Sequence, residues 1–359
     1  MQKLLIQRPR SESKASLLPL AVIDGRPIPQ LTSEHDVLVR VLAVGLNPVD
    51  CKMVSNFFME DTPVGCDFVG VVERAGSASL VQVGTRVIGG TLPYRPENQY
   101  NGAFAQYAVT DGRQTVSLPE EWSDVEAAAL GNLSWATVGL AMSKPDALAL
   151  TGKPSSPAEK AIPILVYGAG TATGYIAIQM LKQSGYNPIA VCSEKSAAKA
   201  ISAGAIGAAY YTSPDCVEQI QKIANGAQIK HALDCITQPD TVEICFSALA
   251  RFGARYASLE ACPEAWRSRR SVHVNVVMGY EQLSYDVDLG DSVYSRKSNP
   301  QSVQIATDWK TEIQNMIKHK SIRSLPVQEL DRTFDSIITG LEDIHNGKVA
   351  GKKLVCRLP

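Results

Sequence analysis

The residues whose types and spacing could do chemistry are concentrated in the stretch 166–205, VYGAGTATGYIAIQMLKQSGYNPIAVCSEKSAAKAISAGA. Gly168, Gly170 and Gly174, interleaved with Ala169, Thr171, Ala172 and Thr173, spell GxGxxxG between the apolar run 164–167 and an amphipathic segment. A loop built of small residues brings backbone N–H groups close to an anion, and the positive end of a following helix stabilises its charge. Thr171 and Thr173 add hydroxyl donors, and Gly174 permits close packing of helix on strand. A lone glycine fingerprint is weak evidence, but strand, loop, helix and second strand come here in the order a dinucleotide-binding crossover requires. We therefore expect a diphosphate against residues 168–174; a ligand-free structural turn is the alternative.

The end of the second strand bears on which dinucleotide is held. An NAD site places Asp or Glu there, to accept from the ribose 2′-hydroxyl. The chain instead reads Cys192-Ser193-Glu194-Lys195-Ser196. Ser193 stands where a carboxylate would repel a 2′-phosphate, and Lys195 supplies a positive charge. Tyr211, ending the third strand, is placed to cover the adenosine. The expectation is NADPH, with Glu194 as the counterargument: were it to face the ribose, the preference would become NADH.

The elements that must position this loop follow from pattern. Residues 164–167, 188–192, 208–211, 231–235 and 254–259 read as strands and 175–183, 196–203, 216–223 and 241–250 as helices. Such alternation implies a parallel sheet with helices on its faces. The first 150 residues are β-rich: Val37, Val39 and Val41 alternate with their neighbours, and 68–72 and 83–88 are further short runs among glycines. Ser123 with Glu126 forms a capping box before an alanine run, predicting a helix start. The Pro- and Ser-containing stretch 151–163 reads as a surface connection between domains. Helices over 308–318 and 331–345 and a strand over 353–358 close the chain. The expected division is 1–160, 161–295 and 296–359.

With 359 residues, 45% hydrophobic and 20% charged, the chain has room for two domains and a sizeable core. A formal net charge of -1 gives no pull towards nucleic acid. The N-terminal MQKLLIQRPRSESK fits neither a signal nor an anchor, and no run approaches the roughly 18 apolar residues a membrane span needs. Eight scattered cysteines without a CxxC pair suit a reducing compartment, so the cytoplasm is expected. The five histidines show no paired spacing and read as structural or solvated.

Three segments, Asn47-Pro-Val-Asp50-Cys-Lys52, Gly65-Cys-Asp67-Phe-Val-Gly70 and Gly102-Ala-Phe-Ala-Gln-Tyr107, together with the tail Gly340 to Gly347 and Gly351-Lys-Lys-Leu-Val355, resemble the medium-chain dehydrogenase/reductase superfamily. Within it, Tyr167-Gly-Ala-Gly-Thr-Ala-Thr173, the segment 184–193 and Leu233-Asp-Cys-Ile-Thr237 are similar to fungal trans-acting enoyl reductases of polyketide pathways. The resemblance covers nearly the whole chain. It implies an α/β fold: a GroES-like β-rich catalytic domain, interrupted by a doubly wound Rossmann cofactor domain and completed by the C-terminus. Two departures stand out. Thr85 replaces the Asp of the family's Gly-Asp-Arg-Val turn, and Gly131-Asn132 replaces a Leu-Pro, shifting the substrate alignment there by about one position.

The zinc-dependent relatives carry Gly-His-Glu where this chain has Gly65-Cys66-Asp67, and their cysteine-rich lobe is missing. Cys51, Cys66 and Asp67 could form a ligand set on paper, but buried thiols and a structural Asp are favoured, so no metal is expected. Without one, conjugate reduction is the less demanding chemistry: hydride adds to the β-carbon of an enoyl thioester while hydrogen-bond donors stabilise the thioester oxygen. The resemblance places Val49, Asp50, Cys51 and Lys52 beside the nicotinamide and adds Leu259, Val349 and Ala350 to the cofactor contacts. Lys52 and Thr137 are the catalytic candidates, with a plain surface lysine and a backbone-bonded helix residue as the alternatives. Trp135 and Thr137 are candidate substrate contacts, as are Met278, Gly279 and Tyr280, which core packing explains equally well.

The implied partner is a polyketide synthase, or a polyketide synthase–peptide synthetase hybrid, with its acyl carrier protein, and the chain is expected to act as a monomer. Arginines 251, 255, 267, 269 and 270 could dock an acidic carrier, the alternative being an ordinary wet face. A freestanding quinone or enone reductase and a noncatalytic nucleotide-binding partner are the competing functions.

Overall fold

The computed structural model describes residues 1–9, 17–95 and 98–359, so the polar end of the N-terminal segment discussed above lies outside the described residues. Two compact units result. One comprises Met1–Leu133, Leu283–Ser298 and Ile313–Pro359, the other Ser134–Gln282 and Asn299–Glu312. These limits run otherwise than 160/161 and 295/296: the stretch 151–163 falls inside the second unit, and residues 283–295 belong to the first.

In chain order the first unit begins with β1 (Gln2–Gln7), β2 (Leu20–Arg26), β3 (Asp36–Gly45), α1 (Pro48–Asn56), β4 (Asp67–Ala75), β5 (Arg86–Gly90), β6 (Tyr107–Asp111), β7 (Val116–Ser117) and α2 (Asp124–Leu130). The helix α3 (Leu133–Ser143) leads into the second unit, which holds β8 (Pro163–Tyr167), α4 (Ala172–Gln183), β9 (Asn187–Cys192), α5 (Glu194–Ser202), β10 (Gly207–Tyr210), α6 (Cys216–Ala224), β11 (His231–Asp234), α7 (Pro239–Ala248), β12 (Arg255–Ser258) and β13 (His273–Val276). There follow α8 (Pro300–Lys318), β14 (Val327–Leu330), α9 (Phe334–His345) and β15 (Lys353–Arg357).

The first unit carries a seven-stranded sheet, β14-β15-β3-β4-β5-β7 with β6 on β3, and the β1-β2 ribbon. Val37, Val39 and Val41 point into a core with Phe68, Val72, Val87 and Phe104. The intervening Leu38 is buried as well, whereas Arg40 is exposed. The capping box at Ser123 is present, Ser123 Oγ accepting from Glu126 N while Glu126 reaches back to Ser123, and these bonds hold the Glu126 carboxyl below its usual range. Sequence pattern missed β14, whose four residues are largely exposed, so no apolar run marks it.

The second unit is a six-stranded parallel sheet in the order β10-β9-β8-β11-β12-β13. The chain direction across the sheet reverses between β8 and β11, the topological switch point at which doubly wound folds bind ligands. Strands β8 and β9 are buried on both faces, which is why they read as continuous apolar runs. Helix α3 is buried from Ser134 to Met142 and so reads apolar all round. Its Gly139 lies under Trp309 of α8, where a Cβ would come within 2.6 Å of the indole, and this packing draws α3 and residues 299–312 into one unit.

Candidate functional site

At the C-terminal end of β8 the chain turns at Gly168, whose φ of +77° is the left-handed region that favours glycine. The N–H groups of Gly168 and Ala169 both donate to Val191 O of β9, at 3.0 and 3.1 Å, anchoring the turn to the neighbouring strand. Thr171 caps α4: its Oγ1 accepts from Gly174 N at 3.0 Å. The same hydroxyl meets the Cys235 thiol. Thr171 is therefore a cap that shapes the loop, a role beyond the phosphate donor expected of it. The first-turn amides of Ala172 and Thr173 have no acceptor within the helix, and residues 170–173 are half-buried rather than enclosed. A Cβ at Gly174 would fall 2.3 Å from Gly168 O, so the helix sits as close to the strand as only glycine allows.

The adjoining strand ends hold the remaining cofactor candidates. Ser193 is the N-cap of α5 and its Oγ lies 3.3 Å from Ser196 Oγ. Ser196 in turn fills the space beside Gly170, where a Cβ would stand 2.6 Å from its hydroxyl. Glu194 and Lys195 are exposed in the first turn of the same helix. Tyr211, 45% exposed, follows β10, donates its N–H to Cys192 O, and holds its ring 6.2 Å from that of Tyr167. Tyr167 pairs with Val191 and Cys192 with Tyr210, so Gly168, Ser193 and Tyr211 share one edge of three adjacent strands. Leu259 lies on the same edge beyond β12, its N–H donating to Asp234 O at 3.3 Å.

Of the substrate candidates in this unit, Trp135 is fully buried and its Nε1 has no hydrogen-bond partner, whereas Thr137 is 8% exposed. Met278 and Tyr280 are buried as well, in a turn fixed by Glu281: its carboxylate accepts from Met278 N at 3.0 Å and pairs with Lys144 Nζ at 2.5 Å. The five arginines lie elsewhere: Arg251 on the loop that enters β12, Arg255 at the start of that strand, and Arg267, Arg269 and Arg270 on the connection from β12 to β13. Arg255 donates to Pro145 O and Ala147 O, Arg267 to Cys262 O, and Arg269 to Phe246 O and Leu249 O. Three of the five therefore tie down loops, and only Arg251 and Arg270 are exposed.

In the first unit, α1 carries Val49, Asp50, Cys51 and Lys52. Lys52 is exposed and Val49 half-buried, but Asp50 and Cys51 face inward. The Cys51 thiol donates to Leu341 O of α9 at 3.2 Å, and burial pushes it up to about 12. Val349 packs against the same core, and Ala350 is exposed beside it. Asp50 accepts from Asn47 N at 2.8 Å and from the Cys66 thiol. Full burial raises its carboxyl from 3.8 to about 7 and raises Cys66 as well. Asp67, with no exposure, accepts from the amides of Asn132 and Leu133 at 2.9 and 2.8 Å and from Asn47 Nδ2 at 2.9 Å. Lys353 Nζ lies 3.9 Å from Asp67 and hydrogen-bonds Asn47 Oδ1; burial lowers its pKa against the pull of both carboxylates. The paper ligand set of Cys51, Cys66 and Asp67 is thus parted, each member committed to its own partners; among the described residues no three His, Cys, Asp or Glu gather to hold a metal.

This network also accounts for Gly131-Asn132. Gly131 has φ +64°, and a Cβ there would meet Asp67 Oδ2 at 2.4 Å. Asn132 then gives its amide to the same carboxylate. Sequence reasoning passed over Lys353; a lysine inside the strand-like run 353–358 was the signal available.

Residues 33–120 match the family described as the alcohol dehydrogenase GroES-like domain, and residues 172–258 that described as zinc-binding dehydrogenase. The trans-enoyl reductase sthE of Phaeosphaeria nodorum is 52% identical over 349 residues, 97% of this chain and 96% of that protein. The trans-enoyl reductase calK of Penicillium decumbens is 47% identical over 359 residues, with the same coverage. The crystal structure of Escherichia coli quinone oxidoreductase complexed with NADPH superposes with a TM-score of 0.71 at 19% identity, over 98% of this chain and 99% of that one, a likeness of fold.

Proposed function

We propose a function from one premise: the chain belongs to the trans-enoyl reductases, a branch of the medium-chain dehydrogenase/reductase superfamily. It is accordingly an enoyl reductase that uses a nicotinamide cofactor. The specific reading is NADPH-dependent reduction of the α,β-double bond of a polyketide enoyl thioester, delivered on the carrier protein of a separate polyketide synthase or synthase–peptide synthetase hybrid. The supporting observation is the meeting of the glycine turn, Ser193 and Tyr211 on one strand edge at the switch point.

The residues present fit the cofactor. The half-buried loop 170–173, opening a twelve-residue helix, offers backbone donors to a diphosphate. Ser193 and Lys195 receive the 2′-phosphate, and Tyr211 covers the adenosine end. When bound, the reduced nicotinamide would supply a hydride to the β-carbon, and a proton must then reach the α-carbon to complete the reduction. Lys52 is the charged donor near the thioester oxygen or the cofactor, and Thr137 contacts the nicotinamide amide or the thioester; a donor that meets charge growing on the thioester oxygen favours the transition state over the ground state. In this reading the protein acts as a monomer, and its scattered cysteines suit the cytoplasm.

The test follows loss of NADPH or NADH absorbance with a short α,β-unsaturated thioester, with a quinone as the competing acceptor. Faster NADPH oxidation with the thioester supports the reading. Preference for the quinone, or cofactor binding with no turnover on either acceptor, overturns it.

A further inference from the structure

We propose that Asp234 is a positioning residue for the cofactor loop: it clamps Thr237 in a left-handed turn whose preceding residues, Cys235 and Ile236, form the wall on which Gly168 bends. Asp234 ends β11 and is fully buried. Its Oδ1 accepts from the amides of Ile236 and Thr237, both at 2.9 Å, and its Oδ2 accepts from Tyr256 Oη at 2.7 Å and Thr241 Oγ1 at 2.6 Å. All four acceptor positions of the carboxylate are therefore used. Thr241 passes the constraint on, accepting from Gln238 N at 2.9 Å at the start of α7. One side chain thus joins β11, β12, α7 and the turn between them.

The turn is under strain that the clamp offsets. Thr237 has φ +61°, and a β-branched residue there is a genuine outlier. The wall it sets is close: a Cβ at Gly168 would come 3.0 Å from Ile236 Cγ1 and 3.3 Å from Cys235 Cβ. Cys235 N donates to Tyr167 O at 3.0 Å, the carbonyl that precedes the glycine turn. The Cys235 thiol meets the hydroxyl of Thr171, which caps the anion-facing helix. Released from Asp234, Thr237 relaxes to negative φ, and Cys235 and Ile236 move away from both the turn and the cap. The consequence falls on cofactor affinity.

The inference rests on the cofactor reading above, and the experiment separates the two. Dissociation constants for NADPH are measured by fluorescence titration, well below each variant's melting temperature, for the full chain carrying Asp234→Asn, Thr237→Gly, both together, and Tyr256→Phe. Asn offers one acceptor oxygen in place of two, so Asp234→Asn weakens binding at least tenfold. Glycine holds φ +61° without a clamp, so Thr237→Gly alone leaves binding within twofold, and in the Asp234→Asn background it restores most of the lost affinity. Tyr256→Phe keeps the ring packed 5.3 Å from Phe246 while removing one donor, and weakens binding about threefold even if Asp234→Asn does not fold. Titration well below each melting temperature, where every variant is folded, keeps a general loss of stability out of the measured affinity. Unchanged affinity in Asp234→Asn or Tyr256→Phe, or no recovery in the double variant, overturns this proposal alone. A wild-type protein that bound neither NADPH nor NADH would overturn the function reading with it.

Discussion

Replacing Gly174 by alanine tests whether the glycine turn is a cofactor loop. The new Cβ would stand 2.3 Å from Gly168 O and 2.9 Å from both Gly168 C and Ala169 Cα. All three are backbone atoms of the turn, so no side chain can rotate away. Restoring an ordinary contact of 3.4 Å requires the first turn of α4 to retreat by about 1.1 Å, the difference between the two distances. Overpacking of this kind costs about 1–3 kcal/mol in stability. The larger effect is on ligand, because amides drawn back by that much no longer reach an oxygen at about 2.9 Å. Two charge-assisted bonds at about 1.5 kcal/mol each correspond to roughly 100-fold weaker binding. Gly170→Ala is the graded comparison: its Cβ meets Ser196 Oγ at 2.6 Å, a hydroxyl that can turn aside, so binding weakens less. The assay is NADPH titration with thermal unfolding of each variant. Wild-type affinity in Gly174→Ala, or a greater loss in Gly170→Ala, would refute the reasoning.

Other outcomes follow from the same geometry. Ser193→Asp puts a carboxylate where a 2′-phosphate is expected, so NADPH affinity falls at least tenfold while NADH gains, read from paired titrations. Lys52→Ala and Thr137→Ala each lower kcat/KM for a thioester about 10- to 100-fold; full turnover in both would remove them from the mechanism. Asp50 ionises at about 7 folded against 3.8 unfolded, so its contribution to stability is complete below about pH 4 and is lost as pH rises to about 7. Melting temperatures of the wild type therefore fall between pH 4 and 7 relative to those of Asp50→Asn, and parallel curves would contradict the burial argument.

Both the kind of fold and the glycine turn between strand and helix were legible in the sequence, because each is written in short-range pattern. The strands and helices of the second unit come from apolar runs and turns a few residues long, and GxGxxxG sits between two of them. The capping box at Ser123 is likewise a four-residue matter. What stayed hidden depends on residues far apart in the chain. Nothing local announces that Asp67 binds the amides of Asn132 and Leu133, or that Lys353 reaches Asn47. The arginines at 255, 267 and 269 looked like a charged face until their carbonyl partners were seen.

Sequence alone thus determined that a glycine turn opens a helix between two buried parallel strands, since backbone conformation and apolar periodicity are properties of neighbours. Only the tertiary structure decided that Thr171 serves as a cap, that Gly131 exists to admit a buried carboxylate, and that the Asp234 carboxylate ties together Ile236, Thr237, Thr241 and Tyr256. Such pairings are chosen by burial, where a polar group taken from water must find a partner wherever the fold brings one within reach.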